Sequence, residues 1–127
     1  MMTDTRLLIV EADILIRHPL AEYLRECGYL VLEATNGEEA RQIIESESGI
    51  DVVLADADAP GASGFAFANW LRRERPGIKV VLAGNVAVAA EKAGDLCEEG
   101  PNLAKPYDHQ MVLNYIRRLL ATRGPGR

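Results

Sequence analysis

Four short, largely apolar runs recur along the chain, at residues 7–10, 29–33, 51–55 and 78–82. Each has the length and the leucine- or valine-rich composition of a buried strand. Between them the apolar positions change period. Ile16, Leu20, Leu24 and Cys27 fall at helical spacing, as do Ala40, Ile43 and Ile44, and a third helix is predicted from about Gly64 to Glu74. Punctuation agrees with the pattern. Pro19 marks a start or a bend of the first helix, and Gly28 suits its C-terminus. Thr35-Asn36-Gly37-Glu38-Glu39 carries capping residues and early acids, the mark of a helix start. Pro76-Gly77 breaks the chain before the fourth strand.

Beyond it the signals shorten. An alanine-rich helix is predicted over residues 86–93 and a short fifth strand over 102–104, ended by Lys105-Pro106. Asp108 caps a last helix whose stripe is Val112, Tyr115, Ile116 and Leu119. Five strands alternating with five helices predict an α/β, flavodoxin-like three-layer sandwich. Its five-stranded parallel sheet takes the order 2-1-3-4-5. The domain is expected over residues 1–123, with 124–127 a flexible tail of a chain either free-standing or cut from a longer protein.

That strand order changes the meaning of three residues. Asp56 closes the third run, Glu11 follows the first, and Lys105 follows the fifth. In a doubly wound sheet these ends lie together in the crevice at the switch point. Two carboxylates and a lysine there suit phosphoryl transfer to a carboxylate, with a divalent cation offsetting charge. Mg²⁺ commonly takes one or two carboxylates and keeps its waters.

Composition narrows the partners. The chain has 127 residues, enough for one domain, with 48% hydrophobic residues and a formal net charge of −5. The acidic balance gives no overall drive towards nucleic acid or anionic lipid. No apolar run approaches the roughly 18 residues of a membrane span. The N-terminal stretch lacks the order of a signal peptide, so a cytoplasmic location is expected. Cys27 and Cys97 have no metal-ligand spacing and are expected to be reduced and partly buried.

The motifs taken together resemble the receiver domain of two-component response regulators, over essentially the whole chain. They are Glu11 after strand 1, Asp56-x-x-x-Pro60-Gly61-x-x-Gly64 around the end of strand 3, and Lys105-Pro106 after strand 5. The resemblance implies that Asp56 is the phosphoacceptor and that Glu11, Asp56 and the backbone carbonyl of Asp58 hold Mg²⁺. It also implies that Lys105 contacts the phosphoryl group, that a cis bond precedes Pro106, and that a histidine kinase or phosphotransfer protein is the donor. A homodimer or target protein is expected on the face of helix 4, strand 5 and helix 5, with Val86, Val88 and Tyr107 contributing. No direct contact with nucleic acid or membrane is expected.

Three positions depart from the family pattern. Ala12 stands where a second acid is usual, and Asp13, one residue on, leaves the backbone in a different direction. Ala83 replaces the hydroxyl residue after strand 4, and no Ser or Thr occurs between Ser63 and Thr122. Asn102 replaces the aromatic switch residue. A ligand shifts an equilibrium only through contacts that differ between the states, so the standard switch is expected to be weakened or absent. Asn85 and Ser63 are the remaining candidates for a substitute hydrogen bond. Glu11 reads either as a metal ligand or as a salt-bridge partner of Lys105. Two other functions compete: a phosphorylation-independent pseudo-receiver that binds proteins, and a small phosphohydrolase of haloacid-dehalogenase type, with Asp56 as nucleophile and Asp58 as general acid. A non-enzymatic signalling module is the expected class.

Overall fold

A computed structural model describes residues 5–47, 49–56 and 64–99. Four strands and four helices alternate through them: β1 (Arg6–Val10), α1 (Ile14–Glu26), β2 (Leu30–Ala34), α2 (Gly37–Ser46), β3 (Ile50–Asp56), α3 (Gly64–Glu74), β4 (Lys79–Ala83) and α4 (Val86–Glu99). All strand pairings are parallel, in the order β2-β1-β3-β4. The fifth strand, the last helix and the tail expected from the sequence lie outside the described residues.

Side-chain alternation divides the core in two. Leu7, Ile9, Val31 and Leu54 face one side with α1 and α4. Leu8, Val10, Val53 and Ala55 face the other with α2 and α3. One irregularity sets this division. Arg6 pairs with Ile50, but Leu7 pairs with Val52, so Asp51 is an extra residue. Its carboxylate accepts the Arg6 N–H at 2.9 Å. This bulge shifts the alternation by one: Ile50 packs with α2 and α3, while Val52 and Leu54 pack with α1 and α4. Asp56, two residues after Leu54, continues the α1 side.

Local chemistry accounts for the helix ends. Asp13 caps α1 by accepting the Leu15 N–H at 2.9 Å. The helix therefore starts before Pro19, which lies inside it and removes one donor near the N-terminal end. Gly28, at φ 106°, ends it, with the Tyr29 N–H bonded to the Leu24 carbonyl at 3.1 Å. Asn36 caps α2 by accepting the Glu39 N–H, and the Glu39 carboxylate reaches back to the N–H of Thr35, one residue before the cap.

Two expectations are corrected at α4. The helix runs to Glu99 rather than stopping at residue 93, since Glu91, Lys92, Ala93 and Leu96 continue the helix-forming composition. The extra turns carry Cys97 over the C-cap of α1, where it forms a disulfide with Cys27. Both cysteines are buried, and neither is free. Nearby the Tyr29 hydroxyl donates to the Leu96 carbonyl at 2.7 Å. Val88 is half-buried, packing in part against the α1-side core. No helix among the described residues is long and apolar enough to cross a membrane.

Candidate functional site

Asp56 is the last residue of β3, and Ala83, the last of β4, is its partner in the register. Glu11 follows β1, held by its N–H to the Ala34 carbonyl of β2 at 3.0 Å. Alternation brings Glu11, Asp56 and Ala83 to the same α1-side edge of the sheet. There they line a cavity of about 140 Å³ with Ile9, Leu54 and Asn85. At about 30 Å³ per water, the space suits a few waters or one small anionic group.

Glu11 and Asp56 meet, as the strand order predicts. Burial pushes the Glu11 carboxyl above its ordinary range; the Asp13 N–H bonded to its Oε2 at 3.0 Å opposes this. The charge of Asp56 alongside and the hydrogen-bonding contact between the two carboxyls push it further up. Two carboxylates so placed are relieved by a shared proton or a cation. As hard oxygen donors they fit Mg²⁺, which accepts one or two carboxylates with waters. Among the described residues no cluster of three or more His, Cys, Asp or Glu could hold a metal. Ala12 is exposed and offers no ligand. Asp13 accepts the Leu15 N–H as the helix cap.

Ala83 is 5% exposed, a methyl group where a hydroxyl is usual. Asn85 lines the cavity, but its Oδ1 accepts the Val88 N–H at 2.9 Å and caps α4. Asp58, Pro60, Gly61, Ser63, Asn102, Lys105, Pro106 and Tyr107 lie outside the described residues. Sequence reasoning passed over Arg17. It sits at helical spacing with Leu20, Ala21 and Leu24, on the buried face of α1, and a lone cation on an apolar stripe was the available signal. Its Nε donates to Glu33 Oε1 at 2.9 Å and its Nη1 to the Glu11 carbonyl at 3.0 Å. Glu33 also accepts from Arg25 Nη2 at 3.3 Å and lies 3.2 Å from His18 Nδ1. Burial acts to raise the Glu33 carboxyl, but Arg17, His18 and Arg25 together hold it below its ordinary value.

The comparisons with known proteins agree with this architecture. The family described as the response regulator receiver domain matches residues 7–117, and the chain belongs to it. It is 30% identical over 120 residues to the aerobic respiration control protein ArcA of Escherichia coli K12, covering 94% of this chain and 50% of that protein. A cyclic di-GMP phosphodiesterase of Thermotoga maritima is 38% identical over 75 residues, 59% of this chain and 20% of that one. The chain thus spans half or less of the length of these curated relatives. Among solved structures, a response regulator of Chloroflexus aurantiacus has a TM-score of 0.60 at 30% identity, covering 94% of this chain and 99% of that one. A complex of the histidine kinase ThkA with the response regulator TrrA matches at 37% identity and a TM-score of 0.58, over 61% of this chain and 66% of that one.

Proposed function

We propose that the chain is a non-enzymatic receiver in which Asp56 accepts a phosphoryl group and the usual switch is weakened or absent. The observation that carries this reading is the placement of Asp56 at the end of β3, beside Glu11 and opposite Ala83. Donation comes from the phosphohistidine of a histidine kinase or a phosphotransfer protein; the likeness to the regulator crystallised with ThkA supports a kinase partner. An Asp56 oxygen attacks phosphorus. A P–O bond forms, the P–N bond to the donor imidazole breaks, and the ring nitrogen leaves with the electron pair. Glu11, Asp56 and the Asp58 carbonyl would hold Mg²⁺, which would supply charge neutralisation at the phosphoryl oxygens. Lys105 gives the fixed positive charge.

Ala83 has no hydroxyl to bond the new phosphoryl oxygens, and Asn102 has no ring to move inward. The differential contacts that separate two states are therefore reduced. The same methyl favours a second reading, a pseudo-receiver recognised by its surface in either chemical state, through a homodimer or a target protein.

Intact mass after incubation with acetyl phosphate and Mg²⁺ tests the proposal, with Asp56→Asn as control. One phosphoryl group gained by the wild type and lost in the control is the expected result. Absence of labelling, with a receiver of known phosphorylation labelled in parallel, would leave the pseudo-receiver reading. Catalytic turnover of a phosphomonoester instead of stoichiometric labelling would sink both in favour of a hydrolase.

A further inference from the structure

Arg17 is the buried charged residue of the described chain, 9% exposed. A buried guanidinium is an expensive way to join two elements. Replacing a buried ion pair by apolar side chains of similar volume is often neutral or stabilising, so stability alone is a poor account of it. What the guanidinium offers, and an apolar side chain lacks, is a rigid fork of donors. One arm takes the carboxylate of Glu33 on β2, and another takes the backbone carbonyl of Glu11.

With that second arm Glu11 is held at three points. Its N–H is bonded to the Ala34 carbonyl, its carbonyl receives Arg17, and its Oε2 receives the Asp13 N–H. The first two fix the peptide plane on either side of the Glu11 Cα. The third fixes the side chain against the first residue of the helix cap. Glu33 in turn fixes Arg17, with Arg25 and His18 closing the cluster. The site has only two carboxylates among the described residues, since position 12 is alanine. The direction of the one on β1 therefore matters more than it would in a richer donor set.

We infer that Arg17 is a positioning residue for the acidic site: its bond to the Glu11 carbonyl aims the Glu11 carboxylate at Asp56, with Glu33 as a hydrogen-bond acceptor that orients the guanidinium. The inference rests on the reading that Glu11 serves Asp56, and it adds a residue that acts through Glu11 without touching the reacting group.

Three variants separate positioning from structure. Arg17→Lys keeps the charge but has a single point donor, which serves Glu33 or Glu11 and not both. Arg17→Met removes the donors and retains an apolar side chain of similar length. Glu33→Gln removes the counter-charge and keeps an acceptor for Arg17. The first readout is hydrogen exchange of the Asp13 amide in the metal-free protein, which reports the Glu11 Oε2 bond. The second is calorimetric titration with MgCl₂. Both Arg17 variants should exchange the Asp13 amide about tenfold faster and bind Mg²⁺ about tenfold more weakly. Glu33→Gln should lower Tm while keeping both readouts within about twofold of wild type. Unchanged exchange in both Arg17 variants would overturn the inference. So would equal losses in Glu33→Gln, which would reduce Arg17 to a structural ion pair. Because exchange needs neither metal nor phosphoryl donor, a wild type that takes neither would defeat the phosphoacceptor proposal while exchange still decides the role of Arg17.

Discussion

On the α2/α3 face of the sheet, Leu8, Val53, Phe67 and Leu71 form a purely apolar cluster. Its outer boundary is Trp70, with the Arg41 guanidinium 5.0 Å from the ring centroid. On the α1/α4 face an equally apolar cluster is joined by a disulfide, a buried tyrosine hydroxyl bond and an ion-paired arginine, and it ends at the two carboxylates. The same strands supply both faces by alternation, yet among the described residues the buried charged side chain and the meeting carboxylates lie on one. Apolar packing is non-directional and tolerates small shifts, whereas carboxylates and their partners act only at fixed distances. The face that holds the site is the one tied by directional bonds.

That contrast can be broken from either side. Opening the disulfide should have the largest effect. It spans 70 residues of sequence, and chain-entropy reasoning gives about 4 kcal/mol for a loop of that size. Cys27→Ser with Cys97→Ser should lower the urea midpoint accordingly and increase proteolytic cleavage within α4. An unchanged midpoint would show that the clasp does not constrain the folded chain in solution. Leu71→Ala, on the opposite face, should cost about 3 kcal/mol through the cavity it leaves. Acetyl phosphate labelling of the protein that remains folded should be unaffected. If labelling fell in proportion to stability lost, the two faces would not be independent.

The smallest effects are those of pH, and they carry opposite signs at two neighbouring strand ends. Glu33 is held below its ordinary value of about 4.5. The folded state releases that proton more readily than the unfolded chain does. Its contribution to stability is present above about pH 4.5 and lost as the pH falls through the lower folded value. Glu11 is held above the same ordinary value. Its contribution is present below it and lost as the pH rises through the raised value. Glu33→Gln should therefore cost about 1.5 kcal/mol at pH 7 and much less at acid pH. Glu11→Gln should stabilise the metal-free protein at pH 7 by about 1 kcal/mol, a common bargain at functional sites. Urea unfolding across pH 3–7 measures both; same-sign slopes for the two variants would contradict the assigned environments.

Much of this was legible from the chain. The four described strands and the starts of the helices follow from local signals, namely apolar period, Asn36, Gly28 and Pro76-Gly77. Such signals act within a turn or a strand, so one sequence window contains them. The site's main carboxylate and the missing hydroxyl at Ala83 were visible for the same reason, since each sits at the end of a recognisable strand. The longer α4 was missed because alanine-rich sequence carries no sharp stop, and the disulfide was missed with it.

Other features depend on distances no window holds. That Glu11 touches Asp56 depends on β1 lying between β2 and β3, and the bulge at Asp51 sets which face Asp56 takes. The pairing of Arg17 with Glu33 joins residues 16 apart, and that of Cys27 with Cys97 joins residues 70 apart. By itself the sequence determined which segments are strands and helices and which end carries the acids, because these follow from the period of burial and the residue at each terminus. Only the tertiary structure decided which face the acids take, what aims them and which helix covers them, because register and helix packing are properties of the whole sheet.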